Sequence, residues 1–202
     1  MNFQLKKYEA LIISSSPNIY YYSGIRCEGG VFLLFTARNK FVCADARFIK
    51  EAARVAPGFI PLTIDKKDSG WWKEMLKKNR IKTVYFEPFD FTYYKLGAFR
   101  RLSRSVAVLK PSAIDFRALR SIKNARELFC IRRAARIAEE ILGEIKQLCL
   151  RRGRSKPAPT ERDLVLEIHK RGLLRGCEEL AFSPIVASGR NSGIPHHQSS
   201  SR

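Results

Sequence analysis

Three histidines, five cysteines and a set of carboxylates that ends early are the residues of this chain able to do chemistry. His196 and His197 are adjacent near the carboxyl end. On an extended segment their side chains point to opposite faces, so the pair cannot close a chelate alone. No Asp or Glu follows Glu179, which leaves these two imidazoles without hard-oxygen partners downstream. His169 reads as a helix-surface residue. Asp45 and Arg47 follow an apolar run and could form a charged catalytic pair, but capping and a domain or subunit contact explain them better. Ser14–Ser16 and Ser188-Gly189 lack the GxSxG elbow that would expose a nucleophile. Gly29-Gly30 has neither the GxGxxG nor the GK[ST] context of a phosphate cradle. Cys27, Cys43, Cys130, Cys149 and Cys177 make no CxxC pair and no even set, which predicts reduced thiols serving mostly as small buried hydrophobes in a cytoplasmic setting.

Composition bounds what these residues can belong to. The chain has 202 residues, 45% hydrophobic and 28% charged, ordinary for a folded protein and too apolar for wholesale disorder. Its longest apolar runs, Ala10–Ile13 and Val31–Phe35, are strand-sized and too short for a bilayer. Lys6 and Lys7 before Ala10–Ile13 do not make a signal peptide, because Ser14–Ser16 interrupt the apolar stretch at once. A net charge of +19 raises the question of nucleic acid. The basic excess is spread along the chain: up to Ser112 there are 20 Lys and Arg against 9 Asp and Glu, and beyond it 18 against 10. Clusters such as Arg132-Arg133-Arg136 come without RNP-type aromatics, zinc-finger spacing or a basic-zipper heptad. A basic solvated surface is favoured over a nucleic-acid site.

Strand and helix signals alternate through the first half. Strands are predicted over Ala10–Ser14, Val31–Thr36, Lys40–Cys43, Pro61–Ile64, Thr83–Phe86 and Ser105–Leu109, the second and third forming a hairpin through Ala37-Arg38-Asn39. Ile19–Tyr22 is a short aromatic segment, with the three tyrosines packing the sheet rather than stacking on bases. Helices are predicted from Ala46, capped by Asp45, to about Ala56; from the Asp68-Ser69 cap to Lys78; and over Phe91–Leu102. Trp71-Trp72 anchors the second of these to the sheet. The whole is an α/β layered domain with a mixed sheet over residues 1–112.

Residues 113–123 read as a linker and entry to a second domain over 124–202. Asn124 with Glu127 forms a capping-box start to a helix of about seven turns, with Leu128, Ile131, Ala135, Ala138, Leu142, Ile145 and Cys149 as its apolar stripe. Thr160 with Asp163 starts a second helix that turns Leu164, Val165 and Ile168 inward, and Gly172 and Gly176 bracket its exit. Phe182–Ser188 reads as a strand, and Gln198–Arg202 as a disordered tail.

Four strings in order resemble the creatinase and aminopeptidase P family, the pita-bread metallopeptidases that include Xaa-Pro aminopeptidases and Xaa-Pro dipeptidases. They are Ser14–Gly24 (SSSPNIYYYSG), Ala44–Ala52 (ADARFIKEA), Leu119–Glu127 (LRSIKNARE) and Ala181–His196 (AFSPIVASGRNSGIPH). The resemblance implies a creatinase-type N-terminal domain followed by the incomplete start of an α+β pita-bread domain. It also implies proline-containing peptides as substrates and two divalent ions, manganese, cobalt or zinc, held by two Asp, one His and two Glu. All of those ligands lie beyond the motif ending at His196, so the chain is expected to be truncated before them, to bind no metal specifically and to be inactive alone. His196 matches the family position that contacts substrate and helps move a proton without ligating metal. The alternative is a non-catalytic module that dimerises or pairs with a full-length relative.

Overall fold

The computed structural model describes residues 3–27, 29–65, 70–152 and 158–201. The chain forms two compact units, Met1–Ile122 and Lys123–Arg202.

Six strands make the sheet of the first unit: β1 (Glu9–Ile13), β2 (Val31–Thr36), β3 (Lys40–Ala44), β4 (Ile60–Thr63), β5 (Thr83–Phe86) and β6 (Val108–Pro111), in the order β4-β3-β2-β1-β5-β6. β2 runs antiparallel to both β1 and β3, and the pairs β1/β5, β3/β4 and β5/β6 are parallel, giving the expected mixed α/β sheet. β1 is apolar and buried from Ala10 to Ile13 because both of its faces are covered. Ala10 and Ile12 join Leu34, Trp72, Leu76 and Val84 in one core, while Leu11 and Ile13 join Ile19, Leu33, Phe35 and Phe116 in the other. Helices α3 (Gly70–Lys78) and α4 (Tyr93–Ser103) cover the first face. Helices α1 (Ser16–Ser23), α2 (Ile49–Val55) and α5 (Phe116–Ser121) cover the second.

Several boundaries differ from the sequence reading for local reasons. Ile19–Tyr22 lies inside α1, which starts with Pro17 in its first turn and ends at Gly24, whose φ of 76° lets its N–H reach Tyr20 O. Asp45 does not cap α2. Its Oδ1 accepts from the Arg47 amide and its O from the amides of Phe48 and Ile49, so a turn precedes the helix. The expected Asp68-Ser69 cap lies outside the described residues. Ser105 has φ 68°, a turn conformation that delays β6 to Val108. The stretch expected as a linker instead packs Ile114, Phe116 and Leu119 into the second core. Trp72 is fully buried and its Nε1 donates to Ser103 Oγ at 2.9 Å, tying α3 to α4, whereas Trp71 packs at the edge.

The second unit holds α6 (Ala125–Arg152), α7 (Glu161–Leu174) and a 3-10 turn at Gly189–Gly193. Both capping boxes form: Asn124 and Glu127 exchange bonds of 2.8 and 2.9 Å, and Thr160 and Asp163 do likewise. The packed face of α6 shares only Ile145 with the expected stripe. Ile141 is buried and Ile137, Ile145 and Leu148 are half-buried, while Leu128, Ile131 and Leu142 are exposed. Ion pairs set this rotation: Glu144 bonds both Arg171 and Arg175, and Arg175 Nε lies 3.5 Å from Glu140. Gly172 is within α7, where a Cβ would meet Leu180 Cδ2 at 3.3 Å; Gly176 (φ 80°) follows the helix. Phe182–Ser188 is not a strand. Among the described residues of this unit there is no strand to supply it with ladder bonds.

Candidate functional site

The chemistry-bearing residues of the second unit converge on Glu161, the first residue of α7. Thr160 and Asp163 start the helix there, and the chain from Ser188 to Ser200 folds over it. Glu161 is only 1% exposed. Its Oε1 accepts from Ser188 N (2.7 Å), Ser188 Oγ (3.1 Å) and Asn191 Nδ2 (2.9 Å). Its Oε2 accepts from His197 Nε2, Ser200 N and Ser200 Oγ at 2.8–2.9 Å. Donation from Asn191, then from the Ser200 amide and His197, holds this carboxyl far below the usual carboxylate range. An ionised carboxylate only accepts, so His197 Nε2 carries the proton and donates. The helix N-terminus adds a favourable dipole.

This arrangement overturns the expectation of a disordered tail. The tail is tied down: besides the Ser200 bonds, Ser199 Oγ donates to Val186 O at 2.9 Å, and Arg162 N donates to Ser200 O at 3.1 Å. His197 is the half-buried, oriented imidazole, and His196 is the exposed one. His196 stands at the rim of a hollow of about 460 Å³ that it shares with Arg162, Val165, Pro184, Ile185 and Gln198. Neither Glu161 nor the role of His197 was found from sequence. The only local hint was a carboxylate placed directly after a capping threonine.

The remaining candidates fall elsewhere. His169 is exposed on α7. Asp45 and Arg47 pair with each other at 2.7 Å, Arg47 also lying over the Phe48 ring. Tyr22 packs among Phe3, Phe35 and Phe116, whereas Tyr20 is 51% exposed with Arg26 over its ring. Cys43 is a core residue as expected, but Cys130 and Cys149 are exposed on α6. Ser14 and Ser15 donate their amides to Glu87, in the loop after β5, and the Ser14 hydroxyl donates to Asp90 Oδ2 at 2.6 Å.

Residues 2–122 match the Creatinase/Prolidase N-terminal domain, and residues 130–202 match metallopeptidase family M24. The chain belongs to the creatinase/prolidase family. It is 24% identical over 194 residues to the Xaa-Pro dipeptidase of Pyrococcus horikoshii, covering 93% of this chain and 50% of that protein. It is also 24% identical over 195 residues to a putative Xaa-Pro aminopeptidase of Mycoplasma genitalium, covering 95% and 51%. Among solved structures, the Xaa-Pro dipeptidase from Bacillus anthracis superposes with a TM-score of 0.80 at 21% identity, covering 96% of this chain and 52% of that one. The prolidase from Pyrococcus furiosus gives 0.76 at 22%, covering 96% and 57%. This creatinase/prolidase chain thus has the fold of the matching part of those enzymes, and it spans about half the length of the curated relatives it matches.

The family is one of metallopeptidases, which poses a direct test of these residues. Among the described residues no group of three or more His, Cys, Asp or Glu is placed to hold a metal. The Nε2 of His197 and both oxygens of Glu161 are committed to each other and to the tail. Among the described residues lining the hollow at the exposed His196 there is no Asp or Glu. These residues do not fit a dinuclear carboxylate centre. Among the described residues no helix is long and apolar enough to cross a membrane.

Proposed function

We propose that these 202 residues form the substrate-side half of a cytoplasmic Xaa-Pro exopeptidase architecture and, taken alone, hydrolyse no peptide. The observation that supports this reading is the commitment of Glu161 and His197 to ordering the tail, with no group of three or more His, Cys, Asp or Glu placed to hold a metal among the described residues. In this reading manganese, cobalt or zinc would require carboxylates that the described residues do not gather. His196, exposed at the hollow, is the proposed contact to a proline-containing peptide and the group that would move a proton in a completed site. The order built around Glu161 acts as the brace that holds His196 in register. Hydrolysis of a Xaa-Pro dipeptide and a Xaa-Pro-containing tripeptide by the purified chain, with each metal in turn, tests the proposal; the expected rate is that of the metal blank.

A second reading, a non-catalytic module that pairs with a copy of itself or a longer relative, draws on the exposed apolar residues of α6. Phe129 is 64% exposed and Leu142 63%. Sedimentation velocity at rising concentration is expected to show association under this reading. A single monomeric species throughout contradicts it.

A further inference from the structure

We infer that the first unit carries a binding site for a small zwitterionic amino acid at the carboxyl ends of β1 and β5. The inference rests on this unit alone and is independent of the peptidase reading. In open α/β sheets ligands settle outside the carboxyl ends of strands where successive connections depart to opposite faces. β1 and β5 are parallel neighbours that meet this condition. The chain leaves β1 through α1, whose Ile19 packs on one face, and leaves β5 through α4, whose Leu96 and Phe99 pack on the other.

A hollow of about 180 Å³ opens at this point, lined among others by Ser15, Asn18, Glu87, Phe89, Asp115 and Arg120. Three buried polar atoms in this region have no hydrogen-bond partner among the described residues: Asn18 Oδ1, Tyr22 Oη and Arg120 Nε. Asn18 is 4% exposed, and its amide orientation is fixed because Nδ2 donates to Glu87 Oε1. Its carbonyl therefore waits for a donor. The other Glu87 oxygen is filled by the amides of Ser14 (2.6 Å) and Ser15 (2.8 Å).

The neighbouring acids are engaged elsewhere. Asp90 accepts from Ser14 Oγ and lies 3.7 Å from Lys95 Nζ, and Asp115 caps α5 and pairs with Arg117. Arg120 makes no ion pair among the described residues, although it is half-buried. Burial, then Tyr21 and Glu87, push the Tyr22 hydroxyl up to about 12, with Arg120 opposing, so it stays a neutral donor or acceptor beside the cation. A water can serve Asn18 Oδ1 but brings no charge to Arg120. An α-amino acid supplies both complements: a carboxylate for the guanidinium and an N–H for the carbonyl. Ile114 and Phe116 offer a small apolar wall to its side chain.

The test is calorimetric titration of the full chain at low salt with L-alanine, acetate and ethylammonium. L-alanine is expected to bind saturably, and either fragment alone about ten-fold or more weakly. Arg120→Met is expected to weaken L-alanine about ten-fold at an unchanged melting temperature, and Arg120→Lys to restore part of the affinity. No saturable binding overturns the inference, as does equal affinity in Arg120→Met. Acetate binding as tightly as L-alanine overturns the assignment to an amino acid.

Discussion

Replacing Glu161 by alanine is expected to release the chain from Ser188 to Ser200 while leaving the middle of α7 helical. The six donors gathered on its two oxygens include the amides of Ser188 and Ser200, which exchange hydrogen only when that clasp opens. Their exchange protection should fall about 100-fold or more, since hydrogen bonds to a charged acceptor are among the strongest in a fold. Unchanged protection at Ser188 and Ser200 would contradict the assignment. A pH dependence goes with it. The folded carboxyl sits below its ordinary value of 4.5, so its contribution is full above that value and is lost as pH falls below it toward the depressed folded value. Protection of the two amides, corrected for intrinsic rate, should hold from pH 7 to 5 and decline below about 4.5. Loss of protection between pH 7 and 6 would point to another group.

The second large effect lies in the first unit. Glu87 is 3% exposed and accepts from Ser14 N, Ser15 N and Asn18 Nδ2, so it fixes the start of α1 from a loop some seventy residues away. Glu87→Ala strands three donors in a buried place and is expected to cost about 3–5 kcal/mol. Both tryptophans, Trp71 and Trp72, sit in this unit, so urea unfolding followed by their fluorescence reports it without interference from the second. The midpoint should fall by about 2 M. A shift under about 0.3 M would mean that water replaces the carboxylate without loss.

What was legible in the chain was what is local. The period-two and apolar-run signals located β2, β3 and β5 to within a residue, and both capping boxes formed where Asn124/Glu127 and Thr160/Asp163 stand three apart. Where the reading failed, a distant partner decided. α1 was missed because its three tyrosines give no amphipathic period, and the carboxylate that fixes its start is Glu87. The stripe on α6 was displaced because Ala135 and Ala138 fit either of two adjacent faces, and the choice between them was made by Arg171 and Arg175 on α7. Phe182–Ser188 has strand-like composition, but a strand requires a neighbour to bond with. At the candidate site, His196 was visible through its motif, while Glu161 and His197 meet across 36 positions with no shared local pattern.

We propose that these residues shape and brace a peptidase half-site whose catalytic centre the described residues do not complete. The most direct measurement is the initial rate of hydrolysis of a Xaa-Pro dipeptide and a Xaa-Pro-containing tripeptide by the purified 202-residue chain. Manganese, cobalt and zinc are each added in excess, with His196→Ala as the matched control. Rates equal to the metal blank are expected for both proteins. Metal-dependent turnover that disappears in His196→Ala would contradict the proposal.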